Sequence, residues 1–288
     1  MSFKIIKFGG SSIADAEKIK HVAGIIEDTK KNSELAIVVS AFGGVTDAIK
    51  TLAETAAVGK DIDATFDSLV TRHTECAEEL SIKNEKNIRW MLDEYFTQLK
   101  SDLLFVAKEK HLSSQSLDNV LSYGELLSTT IVAEYLSQIG MKAEMLDARK
   151  VILTDNYFGH AFVQYQESYN RIRSYCEDRT YIQVITGFLG STETGETTTL
   201  GRSGSDYTAA IFGAALNAEI IEIWTDVNGI LSADPKIIKE AEVVPSLTYE
   251  EAMELAHAGA KVIFPPTMIP ALYKNIPIVI KNTFEPDH

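Results

Sequence analysis

The residues Lys7-Phe8-Gly9-Gly10-Ser11-Ser12 close one apolar run and open an amphipathic one. Two consecutive glycines at such a turn let anion oxygens reach the main chain, and the N–H groups and dipole of a helix start favour negative charge. Lys7 stands at the carboxyl end of the run, where ligands bind in open α/β sheets. The chemistry on offer is the holding of a phosphate or a carboxylate. The spacing is neither GxxxxGK[ST] nor GxGxxG, so a structural glycine turn beside a surface lysine is the competing reading.

Three further segments carry polar and glycine residues, two of them after an apolar run and one after the Thr-rich hairpin, where it opens an Ala-rich helix. Ser40-Ala41-Phe42-Gly43-Gly44-Val45-Thr46 offers hydroxyls at Ser40 and Thr46 and glycine-exposed amides, which suits an anion or a plain serine-capped turn. Gly201-Arg202-Ser203-Gly204-Ser205-Asp206 places an arginine between glycines, free to pair bidentately with a carboxylate. Ser205 or Asp206 reads as a helix cap, with an ammonium or Mg²⁺ as the other partner for Asp206. In Trp224-Thr225-Asp226-Val227-Asn228-Gly229, turn chemistry accounts for Asn228 and Gly229 but less well for Thr225 and Asp226 at an apolar strand's end. Glu125 and Lys261 read as surface charges when taken alone. The six histidines lack metal-ligand spacing, and no Ser-His-Asp arrangement or metal-ligating cluster is visible.

The elements that must hold these segments are strands alternating with helices. Strands are expected over Phe3–Phe8, Leu35–Ser40, Met145–Asp147, Tyr181–Phe188, Ile220–Thr225 and Ile276–Lys281, several as continuous apolar runs of the kind buried in parallel sheets. Helices are expected from Ser12 to about Lys30, over Asp206–Leu216, and over Tyr249–His257 behind a Thr248/Glu251 capping box. Residues 61–139 carry no strand pattern and read as a helical insertion on one side of the sheet. Gly190–Leu200 reads as a hairpin. The fold class is therefore α/β, an open sheet with helices on both faces.

Composition excludes several function classes. The 288 residues carry a formal charge of −14, which argues against binding to nucleic acid or to anionic membrane surfaces. An anionic substrate must then be gripped by a few local cations and backbone dipoles. Cys76 and Cys176, far apart in sequence, do not suggest a disulfide framework or a zinc site. No stretch approaches the roughly 20 apolar residues of a membrane span, and a cytoplasmic location is expected.

Taken in order, KFGGSS at 7–12, SAFGGVTDAI at 40–49, LSYGELLS at 121–128, TGF at 186–188, LGRSGSDYTAA at 200–210, WTDVNGILSADP at 224–235 and GAKV at 259–262 resemble the catalytic domain of aspartate kinases within the amino acid kinase family. The resemblance runs from residue 4 to about 283. It implies a three-layer αβα sandwich on a mostly parallel open sheet, with an amino-acid lobe over about 1–200 and a nucleotide lobe over about 201–283. It implies phosphorylation of the L-aspartate side chain by ATP with Mg²⁺, the first step towards lysine, threonine and methionine. Lys7, Gly9, Gly10 and Asp206 would serve the transferring phosphoryl group, while Ser40, Thr46, Glu125, Arg202 and Ser205 would hold aspartate. Thr225, Asp226, Leu231, Lys236, Lys261 and Val262 would line the nucleotide site. A substrate carboxylate, with a pKa near ~3.9, needs no general base, which suits the lack of a histidine or cysteine nucleophile.

The departures from the family pattern fall mostly on the nucleotide half. Asn228 replaces a common Asp, Leu231 a frequent Tyr and Lys236 an Arg, and Phe264-Pro265-Pro266 stands where His-Pro-Arg is often found. Regulatory ACT domains, usual in the family after this point, are absent from the sequence, which reads as a catalytic fragment. A kinase for another small amino acid carboxylate, and a non-catalytic ligand-binding paralogue, are the alternatives. A homodimer is an assembly compatible with the resemblance.

Overall fold

The computed structural model describes residues 2–82, 85–177, 179–233, 238–257 and 264–286. In chain order the strands are β1 (Ser2–Phe8), β2 (Ser33–Val39), β3 (Ala143–Leu146), β4 (Ile182–Thr186), the short pair β5 (Leu189–Ser191) and β6 (Thr197–Thr199), β7 (Ile220–Thr225) and β8 (Ile278–Asn282). Six of them form one sheet in the order β3-β4-β2-β1-β7-β8, and every neighbouring pair is parallel. β5 and β6 make a separate antiparallel hairpin, as the Thr-rich stretch predicts.

Strand alternation splits the apolar residues between two cores. Ile6, Phe8, Ile37, Val39 and Val184 face one of them, and Ile5, Val38 and Ile185 face the other. The first core is closed by α1 (Ala16–Lys30), α2 (Val45–Ala57), α3 (Asp63–Glu79), α4 (Glu85–Glu109) and α5 (Ser114–Gln138). The second is closed mainly by α6 (Tyr165–Cys176), α7 (Gly204–Leu216) and α9 (Pro265–Tyr273), with α8 (Tyr249–His257) packed on α9. Helices thus cover both faces of a parallel sheet, the α/β architecture expected. Among the described residues no helix is long and apolar enough to cross a membrane.

Several element ends differ from the sequence expectation. The segment Gly10–Ile13 forms a 3₁₀ turn, and α1 begins only at Ala16, because the Asp15 carboxylate accepts the Lys18 N–H at 2.9 Å and so provides the cap. Nor does Ser205 or Asp206 cap α7. Ser203 is its N-cap, in the left-handed region at φ 55°, and the helix starts at Gly204. Both residues therefore fall in its first turn. The Thr248/Glu251 capping box is present, with reciprocal bonds of 2.8 and 3.1 Å.

From β1 the chain passes to β2 on one side, and from β7 it passes to β8 on the other. This divergence puts a crevice at the carboxyl ends of β1 and β7, where open α/β sheets bind ligands. The Gly9 N–H donates to Trp224 O at 2.9 Å across that point.

Candidate functional site

A cleft of about 640 Å³ opens beside this crevice. It brings together Lys7, Gly10, Ser40, Thr46, Glu125, Arg202, Ser205 and Asp206, residues spread over 200 positions of sequence. They arrive on separate segments: Lys7 comes from the end of β1, Ser40 from the β2–α2 loop, Thr46 from the first turn of α2, Glu125 from the middle of α5, Arg202 from the loop before α7, and Ser205 and Asp206 from its first turn.

Close backbone contact fixes the two glycine loops against each other. The Gly43 N–H donates to Gly10 O at 3.0 Å, and a Cβ at Gly10 would lie 2.6 Å from Ala41 O. Gly124 does the same for α5, since a Cβ there would stand 3.0 Å from the Ala41 Cβ. The helix consequently packs tightly enough for Glu125 Oε1 to accept the Ala41 N–H at 3.2 Å and for Ser128 Oγ to donate to Ser40 O at 2.8 Å.

The charges of the cleft are unevenly satisfied. Lys7 Nζ lies 2.7 Å from Asp206 Oδ1, and both side chains are largely buried. Glu125 is 3% exposed and its Oε2 has no hydrogen-bond partner among the described residues. Burial pushes its carboxyl up to about 8. Arg202 is exposed, lies 5.6 Å from the Phe264 ring, and makes no ion pair among the described residues. An acceptor without a partner, an unpaired guanidinium and a lysine above an anion turn suit a ligand carrying both ammonium and carboxylate, next to a phosphate.

The nucleotide-side residues lie beyond this cleft. Gly9 stands between the two regions, for a Cβ on it would come 3.6 Å from Lys7 Nζ and 3.9 Å from Thr225 Oγ1. Thr225 and Asp226 follow at the end of β7, joined by a 3.2 Å hydrogen bond between their side chains. Leu231 is half-buried and bridges to Val243. Lys236, Lys261 and Val262 fall outside the described residues.

Asp118 is a cleft residue that sequence reasoning missed. It is fully buried and accepts the N–H groups of Gly159 and Thr199 at 2.8 and 2.9 Å and the Thr199 hydroxyl at 2.8 Å. It thereby joins α5 to the β5–β6 hairpin just before Arg202, and burial raises its carboxyl. Its signal was spacing, since Asp118 precedes Glu125 by two helical turns on the same face. Lys50 and Asp47, on the first turns of α2, also line the cleft.

The model of the amino acid kinase family matches this sequence over residues 2–282. The chain belongs to the amino acid kinase family. Aspartokinase 1, chloroplastic, of Arabidopsis thaliana is 38% identical over 98% of this chain and 50% of its own length. The aspartokinase of Chlamydia trachomatis is 35% identical over 97% of this chain and 62% of its own length. The chain thus spans about half to three fifths of these curated relatives. Among solved structures, E. coli aspartokinase III in complex with aspartate and ADP superposes with a TM-score of 0.92 at 31% identity, covering 99% of this family member and 63% of that chain. The UMP kinase of Bacillus anthracis, at 16% identity and a TM-score of 0.53, shares the fold alone.

Proposed function

We propose that this chain is the catalytic part of an aspartate kinase, moving the γ-phosphoryl group of ATP onto the side-chain carboxylate of L-aspartate. The observation that carries the reading is Glu125. A buried carboxylate with an unpartnered oxygen shares one cleft with Lys7 and Arg202. The solved relative holding aspartate and ADP supports the same substrate pair.

In this reading Glu125 accepts the substrate ammonium and Arg202 grips a carboxylate, with Ser40, Thr46 and Ser205 supplying hydroxyls. A side-chain carboxylate oxygen then attacks the γ-phosphorus while the bond to the β,γ-bridging oxygen breaks. The products are 4-phospho-L-aspartate and ADP. The attacking carboxylate is already ionised at neutral pH, so no base is needed. What remains is alignment and neutralisation of gathering negative charge, the task of Lys7 and the Gly10 amide, since the Gly9 N–H is already engaged by Trp224 O.

Among the described residues no group of three or more His, Cys, Asp or Glu forms a metal cage. A Mg²⁺ brought in with the nucleotide would find the Asp206 carboxylate, beside Lys7, as an oxygen donor of the kind that ion takes. When bound, Mg²⁺ supplies further neutralisation of the phosphates. We assign Thr225, Asp226, Leu231, Lys236, Lys261 and Val262 to the nucleotide, which divides the chain into an amino-acid lobe over about 1–200 and a nucleotide lobe over about 201–283. A cytoplasmic setting suits this chemistry.

The test is ADP release measured with and without L-aspartate, alongside trapping of the acyl phosphate by hydroxylamine. N-acetyl-aspartate, which lacks the ammonium, is expected to be turned over poorly. Absence of a trappable acyl phosphate from well-folded protein would rule the reading out.

A further inference from the structure

The two glycine loops of the cleft touch through their backbones, and the side chain that clasps them comes from outside the cleft. Arg72 lies on α3, in the helical region that follows α2. Its Nη1 donates to Gly43 O at 2.9 Å and its Nη2 to Ala14 O at 3.0 Å. One acceptor belongs to the β2–α2 loop. The other ends the 3₁₀ turn that begins at Gly10. The guanidinium carbon sits 5.9 Å from the ring of Phe42, and the next residue, His73, stacks on that ring at 4.9 Å with planes 3° apart. α3 therefore holds the β2–α2 loop by both a charge-assisted fork and an aromatic contact.

We infer that Arg72 is a positioning residue, setting the amino-acid-side loop and the phosphate-side turn at a fixed separation. The argument is geometric. A trans peptide keeps the carbonyl of one residue and the N–H of the next antiparallel. Fixing Gly43 O therefore fixes the direction of the Gly44 N–H, and Gly44 lines the cleft at the start of α2. Fixing Ala14 O fixes the end of the turn whose first residue, Gly10, lines it as well. A planar guanidinium can hold two carbonyls in a set relation, whereas a lysine ammonium offers only a point charge on a flexible stem. With the loops already in contact at Gly10 and Gly43, the clasp governs their relative tilt, and so the approach of carboxylate to phosphate.

The inference rests on the proposed function for its kinetic test only. Arg72→Ala and Arg72→Lys in the full chain are to be compared with wild type by hydrogen exchange and by aspartate-dependent ADP release. Exchange is expected to quicken in both 10–15 and 42–47, with β1 and β2 unchanged. Turnover should fall about 10–100-fold in kcat, as for a misplacement near 1 Å, with the KM for ATP nearly unmoved. Millimolar guanidinium should restore part of the Arg72→Ala rate but none of the rate of Lys7→Ala. Exchange that stays at wild-type levels in either loop would overturn the inference, and so would an unchanged kcat in an active enzyme. Should wild type itself give no aspartate-dependent ADP, the proposed function falls and the exchange data alone decide the role of Arg72.

Discussion

Glu125 enters the cleft as an acid that burial has pushed up to about 8, so in the free protein it holds its proton at neutral pH. An incoming ammonium needs the carboxylate form. On the role proposed for Glu125, binding of aspartate must expel that proton, and affinity must rise with pH until the group is ionised beforehand. The dissociation constant for aspartate is expected to tighten by up to ~tenfold per pH unit between about 6 and 8 and to level off above. Calorimetry in buffers of different ionisation enthalpy should register close to one proton released at pH 7. A flat profile, or no proton release, would remove Glu125 from the ammonium site. In the proposed reaction Lys7 acts at a different moment, when charge gathers at the phosphoryl group. For Lys7→Ala the expected change is a fall of about 10²–10³-fold in kcat, with a lowered melting temperature because Asp206 loses its largely buried partner. An unaltered kcat would place Lys7 outside the reaction.

At the scale of elements, glycine substitutions separate close approach from mere flexibility. Gly10→Ala drives a Cβ to 2.6 Å from Ala41 O and is expected to cost about 1–3 kcal/mol as the loops are forced apart. Gly24→Ala, on the exposed side of α1 with nothing within 4 Å, should instead stabilise by about 0.5–1 kcal/mol. Urea titrations of the two variants should shift in opposite directions. The same elements show which features could be read in advance. Strand ends followed by glycine and hydroxyl residues announced Lys7, Gly10 and Ser40 as neighbours, because in a parallel sheet all carboxyl ends share one edge; the Arg202 segment follows the separate β5–β6 hairpin, and its place beside them had no such signal. Arg72 gave no such signal, since an arginine on a charged helix looks solvated until its carbonyl partners are known. The start of α7 was misread because Ser203 takes a left-handed conformation that its residue type does not advertise.

For the whole molecule, the two cores share a single sheet and should not melt apart. Phe212 is fully buried in the second core, and Trp224 belongs to the first. Phe212→Ala is expected to cost about 3–5 kcal/mol. In a Trp90→Phe background, Trp224 fluorescence and far-UV circular dichroism should shift to the same lower midpoint. Separate midpoints would mean that the two layers unfold independently. The α/β class and the two-faced helix layering were legible because continuous apolar strands leave few other architectures. The strand order was not, as it depends on which edges meet after more than half the chain has intervened.

That order has a consequence in time. β1 lies between β2 and β7, and its Lys4 stands opposite Leu35 on one side and Ile220 on the other. During synthesis at about 5–20 residues per second, the roughly 200 residues separating β1 from β7 take on the order of 10–40 s to emerge. Throughout that interval one edge of β1 lacks its partner strand, including the stretch that ends in Lys7. The Gly9-Gly10 turn is thus among the earliest segments to be made and among the latest to be completed, and the nascent chain must keep that edge from pairing with another molecule.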